Sequence, residues 1–165
     1  QVTIITGDRD MMQLVNKKIN LYMPQKGLSD GMLVGPEEVK QKLGINPSQV
    51  IDYKALVGDS SDNYPGVTGI GPKTAVKLME EFGTFEEVVK KSGNLKVITG
   101  YEGGELSKRL ATIKTDVPLT LDSAQSSVPS TPKIIEVLNE LGYKSLIKRA
   151  GGKIDEDSTR PRLFE

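Results

Sequence analysis

The stretch GDSSDNYPGVTGIGPKTA, residues 58–75, decides how this chain is interpreted. It contains four glycines, two aspartates and two prolines, and it runs directly into a segment with helical spacing. Apolar residues at 67 and 70 alternate with glycines, which adopt positive φ without strain and let another backbone approach closely. The stretch therefore predicts a tight hairpin between two helices, the second of which begins at Pro72.

The beginning of the helix at Pro72 is a predicted anion site. The first amide groups of a helix have no partner within it, and the helix dipole is positive at that end. A phosphate of a nucleic-acid backbone suits such a site, and contacts of this kind hold a strand without reading its sequence. The alternative is that the glycines serve packing alone. The residues predicted to contact a nucleic acid are Gly66, Val67, Gly69, Ile70, Gly71, Lys73, Thr74 and Lys77.

Four aspartates form two pairs that are candidates for metal binding. Asp8 and Asp10 follow residues 2–6, whose β-branched pattern predicts a strand buried on both faces, and open α/β sheets bind ligands beyond the carboxyl ends of such strands. Asp59 and Asp62 lie in the loop before the hairpin. Carboxylate oxygens suit Mg²⁺ or Mn²⁺, and two such ions can hold the attacking and leaving oxygens of a phosphodiester. The alternative is that each pair caps a helix or a turn.

Composition excludes several classes of protein. The 165 residues include 22 basic and 22 acidic side chains, so binding to a nucleic acid would use a local patch rather than the whole surface. Cysteine and histidine are absent, which excludes disulfides, thiol chemistry and imidazole catalysis and argues against a zinc site. No segment approaches the roughly 20 apolar residues of a membrane span, and no secretory signal is visible. We expect a cytoplasmic protein.

The remaining patterns predict a mainly helical chain with few strands. A short helix is expected at residues 11–15, and strands at 19–23 and 32–34 form a hairpin around Gly27 to Gly31. Proline, glycine and capping residues set the predicted ends of the longer helices. These helices cover residues 36–43, 47–57, 72–82, 85–91, 105–113 and 133–141.

Three segments carry a resemblance to a known family: TGDRDMMQLV (6–15), YKALVGDSSDNYPGVTGIGPKTAVKL (53–78) and LATIKTDVPL (110–119). In this order and at these distances they resemble the second half of the 5′→3′ exonuclease domain of bacterial DNA polymerase I, within the 5′ nuclease and flap endonuclease family. The resemblance covers residues 2–149, and its central motif is highly specific. It implies an α/β fold of the PIN-like 5′-nuclease type, with few strands of a parallel sheet and a helix–hairpin–helix element.

The resemblance implies a metal-dependent nuclease that cleaves nicked and 5′-flap duplexes during DNA replication and repair. The first aspartate pair matches metal-site residues that follow a strand of the family, and the second pair matches a later set. The hairpin matches the element that holds duplex DNA without sequence preference. Its carbonyls, here those of Val67 and Ile70, can also hold a K⁺ ion in this family.

The family's other acidic ligands and its basic arch belong to an N-terminal half of the domain that would precede Gln1. We therefore expect an incomplete two-metal site, a chain with little or no nuclease activity alone, and a bacterial location; whether a polymerase domain follows is left open. The alternative is a non-catalytic helix–hairpin–helix DNA-binding module. The expected division is 1–45 as the end of the α/β nuclease core, 46–115 as the hairpin region with the metal-site loop, 116–150 as a helical packing segment and 151–165 as a linker or disordered tail.

Overall fold

The computed structural model describes residues 1–27, 30–120 and 129–152, and the chain falls into two units, residues 1–117 and 118–165. Among the described residues, the first unit combines a three-stranded sheet with several helices, and the second contributes two helices. The residues predicted as sites all lie in the first unit.

The sheet is mixed and has the order β1-β2-β3. Strand β1 (Val2–Ile5) runs parallel to β2 (Ile19–Gly27), which pairs antiparallel with β3 (Asp30–Val34). The predicted hairpin is therefore present, although residues 28 and 29 of its turn lie outside the described residues. The prediction that the first strand is buried on both faces is wrong for this chain, because β1 lies at the sheet edge and Val2 and Ile5 are 54% and 65% exposed.

Helices follow the sheet, and most of their ends lie where proline, glycine or a cap predicts them. Gly44 and Gly83 end their helices with φ of 75° and 83°, and Thr84 caps the next helix by accepting from the Glu87 amide. The predicted helix 47–57 begins instead as a 3₁₀ turn (Pro47–Gln49). The α-helices of this unit are α1 (Pro36–Leu43), α2 (Val50–Val57), α3 (Pro72–Phe82), α4 (Phe85–Lys91), α5 (Leu95–Thr99) and α6 (Tyr101–Ala111).

Helix α5 and the first turn of α6 were not predicted, because glycine disfavours a helix and this region holds several. Packing explains why α6 nevertheless begins at Tyr101. A Cβ on Gly104 would lie 2.4 Å from the Phe85 ring, and one on Gly103 would lie 2.6 Å from the Gly66 carbonyl oxygen. The glycines let α6 lie close against α4 and the hairpin, and this contact outweighs their low helix propensity.

The core of the first unit joins the sheet, the helices and the hairpin. Helix α2 is central to it, because α2 packs against α3, α4, α6 and the short 3₁₀ helix Asp10–Leu14. The core also includes Val67 and Ile70, which attach the hairpin to the body of the unit. Its fully buried members include Met12, Leu21, Val34, Val39, Leu56, Ala75, Phe85, Val88 and Val97.

The second unit contains α7 (Thr131–Glu140) and α8 (Lys144–Arg149), joined through Gly142 with φ of 72°. Helix α7 begins two residues before its predicted start, and α8 was not predicted. Residues 121–128, within the expected helical packing segment, and residues 153–165, most of the expected linker or tail, lie outside the described residues. Among the described residues, every helix is too short or too polar to cross a membrane.

Candidate functional site

Three of the four predicted aspartates converge. One carboxylate oxygen from each of Asp10, Asp59 and Asp62 lies within 4.8 Å of the others. Asp10 begins the 3₁₀ helix after β1, whereas Asp59 and Asp62 lie in the loop that follows α2. Three hard oxygen ligands at this separation are a suitable set for a divalent cation.

The 3₁₀ helix that bears Asp10 is attached to the end of α6 through Gln13. The Gln13 side-chain amide donates to the carbonyl oxygens of Asp10 and Ala111, at 2.8 Å each, and its oxygen accepts from the Ile113 amide at 3.0 Å. These contacts connect residues separated by about a hundred positions. They hold the Asp10 backbone at a set place beside the loop that carries the other two aspartates.

Asp8 is outside this group of three. Its Oδ1 accepts from the Asp10 amide at 2.8 Å, so its side chain caps the turn into the 3₁₀ helix, as the capping alternative predicts. Asp8 nevertheless lines a cavity of about 480 Å³ together with Asp59 and Asp62. The fourth aspartate therefore faces the same cavity without joining the closest set of ligands.

Lys54 was missed by sequence reasoning, and it lies among the aspartates. Its ammonium contacts Asp10 Oδ1 and donates to Asp59 Oδ2 at 2.8 Å, with only 9% of its side chain exposed. Hydrogen bonds from Lys54 and then Ser61 hold the pKa of Asp59 at about 2, below its ordinary value. The available signal was position, because Lys54 shares the helical face of Val50 and Val57, where an apolar residue is expected.

Two glycines close the base of the loop that carries Asp59 and Asp62. A Cβ on Gly58 would lie 2.4 Å from the Tyr64 carbonyl oxygen, and one on Gly66 would lie 2.3 Å from the Gly58 nitrogen. Above them, the Asp59 amide donates to the Tyr64 carbonyl at 3.1 Å and the Tyr64 amide donates back at 2.8 Å. The loop thus leaves and rejoins the fold at one point, which sets the distance from Asp59 and Asp62 to the hairpin.

Tyr64 forms a second connection between the loop and the 3₁₀ helix. Its hydroxyl donates to Asp10 Oδ2 at 3.3 Å, and its ring lies 5.7 Å from the Lys54 ammonium. Burial raises the pKa of Tyr64, and the charges of Asp62, Asp59 and Asp8 raise it further. The phenol is therefore a hydrogen-bond donor at neutral pH.

The hairpin presents its backbone outward and its apolar side chains inward. Val67 and Ile70 are 2% and 6% exposed, and the Gly66 amide donates to the Ser107 hydroxyl at 2.8 Å. At Gly66, Val67 and Ile70, only backbone atoms could therefore make the predicted contacts with a nucleic acid. The predicted residues on the surface are Gly69, Gly71, Lys73, Thr74 and Lys77.

The exposed side of the hairpin carries open donors. Within the described residues, the amides of Thr68, Gly69, Gly71 and Lys73 donate to no protein acceptor, and Lys73 and Lys77 pair with no carboxylate. A Cβ on Gly71 would meet nothing within 4 Å, so the approach to the backbone at Gly71 is unobstructed. Amide and ammonium donors together form a suitable surface for an anion.

Other lysines are engaged within the fold. Lys108, which sequence alone suggests is a solvated surface charge, donates to Asp52 at 2.7 Å and to Glu86 at 2.6 Å. Burial works against its charge, but these two hydrogen bonds prevail and raise the pKa of Lys108. Lys91 pairs with Glu87 one turn away on α4. Lys73 and Lys77 of the hairpin region differ from these lysines, because among the described residues they have no such partner.

One cavity connects the acidic cluster with the hairpin. Its volume is about 440 Å³, and its lining includes Lys54 and Asp59 as well as Ile70, Gly71 and Pro72. A carboxylate of the cluster and the first residue of α3 therefore border the same space. An extended anionic polymer lying across that space would meet Asp59 and the open amide of Gly71 together.

Comparison with known proteins gives a family and close relatives. The family model described as 5′–3′ exonuclease, C-terminal SAM fold, matches residues 45–133. DNA polymerase I of Caldicellulosiruptor bescii is 43% identical over 162 residues, a match that covers 91% of this chain and 19% of the relative. The chain thus spans about a fifth of the length of the curated relatives it matches.

Two solved structures of a bacteriophage T5 enzyme share the fold. The T5 5′-exonuclease with bound divalent metal ions (zinc) is 24% identical, with a TM-score of 0.57, over 67% of this chain and 42% of the other. The T5 flap endonuclease, in a pseudo-enzyme–product complex with DNA and metal ions, is 24% identical, with a TM-score of 0.55, over 67% of this chain and 41% of the other. At this identity the likeness concerns the fold alone.

Proposed function

Because this chain belongs to the 5′–3′ exonuclease family, whose C-terminal SAM-fold model matches more than half of its residues, we propose that it is part of a structure-specific 5′→3′ exonuclease or flap endonuclease. The protein would hydrolyse DNA phosphodiesters with divalent metal ions during replication and repair, as part of a DNA polymerase I-like enzyme. The observation that carries this proposal is a cavity that Asp59 of the aspartate cluster borders together with Ile70 and Gly71 of the hairpin.

The proposed metal ligands are Asp10, Asp59 and Asp62, with Asp8 beside them. The donor set fits Mg²⁺ or Mn²⁺, since it consists of carboxylate oxygens within 4.8 Å of one another and contains no sulfur or imidazole. Two such ions supply charge neutralisation and activation of water at a phosphodiester. The chain's own residues orient these carboxylates, and Lys54 balances part of their negative charge.

The proposed role of the hairpin is to hold the DNA backbone at a set distance from the carboxylates. The open amides of Thr68, Gly69, Gly71 and Lys73 support this role, as do Lys73 and Lys77, which have no carboxylate partner within the described residues. The presence of DNA in the T5 complex supports it as well. Donors of this kind contact phosphates rather than base edges, so we expect nicked or 5′-flap duplexes of any sequence to bind. The two-glycine base of the loop sets the distance between the bound duplex and the cut.

A K⁺ ion at the hairpin is a further part of the proposal. Its ligands would be the carbonyl oxygens of Val67 and Ile70, which belong to one turn closed by the hydrogen bond from the Ile70 amide to the Val67 carbonyl, 3.0 Å long. That bond uses one of the two lone pairs of the Val67 oxygen, which leaves the other for a cation.

The proposed partners are DNA, the N-terminal half of the same domain and a polymerase domain, in the bacterial cytoplasm. We also propose the division of this chain into residues 1–45, 46–115, 116–150 and 151–165. The competing function is a non-catalytic helix–hairpin–helix module, which the capping role of the Asp8 side chain favours. It leaves the convergence of the other three aspartates unexplained.

Cleavage of a labelled 5′-flap substrate in Mg²⁺ or Mn²⁺ tests the proposal. We compare the 165-residue chain with a longer protein in which the proposed N-terminal half of the nuclease domain is joined before Gln1. The longer protein should cleave the flap, whereas the chain alone should bind DNA and cleave weakly or not at all, because it supplies too few ligands for two ions.

Matched variants separate cleavage from binding. In the longer protein, Asp59→Asn should abolish cleavage and leave DNA binding intact, and Asp30→Asn, an exposed aspartate on β3, should change neither. Cleavage by neither version would favour the non-catalytic module. Strong cleavage by the 165 residues alone would show that the metal site is already complete.

A further inference from the structure

A lysine on α5 contacts the exposed tip of the hairpin. The Lys96 ammonium donates to the Gly69 carbonyl oxygen at 3.3 Å, although the two residues are 27 positions apart. A Cβ on Gly69 would lie 3.2 Å from Lys96 Nζ and 3.4 Å from its Cδ, so the side chain lies along the glycine. The absence of a side chain at position 69 therefore leaves room for the lysine as well as for the turn.

The backbone around Lys96 is held in place by packing and by a cap. Its amide donates to the Asn94 side chain at 3.0 Å, and the neighbouring Val97 is fully buried. At the end of α5, a Cβ on Gly100 would lie 2.9 Å from a methyl group of Val67, so the helix lies directly against the hairpin. Lys96 is thus directed to the hairpin tip by rigid neighbours.

The charge of Lys96 is available to a ligand. An ammonium has three donors, and within the described part of the chain the Gly69 oxygen is the one acceptor that this ammonium meets. In the same described part, Lys96 makes no ion pair, whereas Lys54, Lys91 and Lys108 are paired with carboxylates. The ammonium lies on the same turn as the open amides of Thr68 and Gly69.

We propose that Lys96 is a DNA-binding residue, whose ammonium is positioned by the Gly69 carbonyl and binds a backbone phosphate held by the hairpin. The inference rests on the proposed DNA binding of the hairpin and extends that surface to α5. Because Lys96 is part of the chain, its ammonium supplies a positive charge at the hairpin without the binding of a free cation from solution.

Fluorescence anisotropy of a labelled nicked duplex, measured over a KCl series with the 165-residue chain, tests the inference. Lys96→Met keeps the length of the side chain and removes its charge. We expect its affinity to fall roughly tenfold, as for the loss of a charge-assisted hydrogen bond. The slope of log affinity against log salt should decrease by about 0.9, the effect of one phosphate contact.

Three further variants serve as controls for Lys96→Met. Lys96→Arg keeps the charge and should retain the slope, and Lys73→Met should lower the slope like Lys96→Met. Lys42→Met removes an exposed lysine of α1 and should change nothing. The midpoint of thermal unfolding is measured for each variant, since a change in packing alone would alter that midpoint and leave the salt slope as it is.

The possible results separate this inference from the function on which it rests. An unchanged slope in Lys96→Met, with a reduced slope in Lys73→Met, would overturn the role of Lys96 and leave the hairpin proposal in place. A slope reduced equally by Lys42→Met would also overturn it, because the effect would then be one of overall charge. Absence of salt-dependent DNA binding by the unmodified chain would overturn both proposals.

Discussion

Replacing Gly66 with alanine should be far more damaging than its small size suggests. Its φ of 60° costs an L-residue about 1–2 kcal/mol, and the new Cβ would lie 2.3 Å from the Gly58 nitrogen and 2.6 Å from the Val57 carbonyl carbon. Since both neighbours are backbone, the two segments must move apart. That movement would break the hydrogen bonds of the Gly66 amide to Ser107 and of the Val67 amide to Leu56, at 2.8 and 2.9 Å.

Each lost hydrogen bond should cost about 1 kcal/mol, so the expected loss in the free energy of unfolding is about 3–4 kcal/mol for Gly66→Ala. Gly93→Ala is the matched control, because Gly93 has a φ of 62°, close to that of Gly66, but no atom lies within 4 Å of the added Cβ. This control variant should lose only the free energy that the positive φ costs a residue with a side chain, about 1–2 kcal/mol. Urea unfolding followed by circular dichroism measures both. Equal losses of unfolding free energy in the two variants would refute the reasoning that Gly58 and Gly66 form a closed base under the loop that carries Asp59 and Asp62.

Two other predictions concern the aspartates. The folded-state pKa of Asp59 is about 2, below the ordinary 3.8, so its ion pair with Lys54 stabilises the fold above pH 4. About 1–2 kcal/mol of the free energy of unfolding should be lost as the pH falls from 4 to 2. Urea unfolding of Asp59→Asn should show a smaller loss over this pH range, and a loss equal to that of the unmodified chain would contradict the prediction. The affinity for Mn²⁺, measured by electron paramagnetic resonance, should weaken roughly tenfold in Asp62→Asn and stay unchanged in Asp30→Asn. Equal affinities of the two variants for Mn²⁺ would show that Asp62 is not a ligand.

The ends of most helices could be predicted because they depend on neighbours in the chain. Pro36 and Pro72 begin helices at the position where a missing amide hydrogen costs nothing, and Gly44 and Gly83 end them with positive φ. The hairpin was predictable for the same reason, since its glycines and its two apolar residues lie within one short stretch. Such preferences act over a few residues and leave a readable pattern.

Helix α5 and the first turn of α6 were not predicted, because packing rather than local preference determines them. Helix α5 has only five residues, too few for a clear apolar period, and it ends at Gly100. The first turn of α6 contains Gly103 and Gly104, which disfavour a helix in isolation. Their missing side chains allow contacts with Gly66 and Phe85 that lie far away in the sequence.

The chemistry of the site was determined by sequence and its geometry by the tertiary structure. With no histidine or cysteine, carboxylates were the predictable candidates for metal ligands, and a glycine-rich turn before a helix was the predictable candidate for an anion site. Only the folded chain brings Asp10 to Asp59 and Asp62, leaves Asp8 as a cap, and adds Lys54 to the cluster and Lys96 to the hairpin. Those distances follow from how α2, α5 and α6 pack around the loop, and burial of apolar surface between distant segments leaves no local pattern from which they could be predicted.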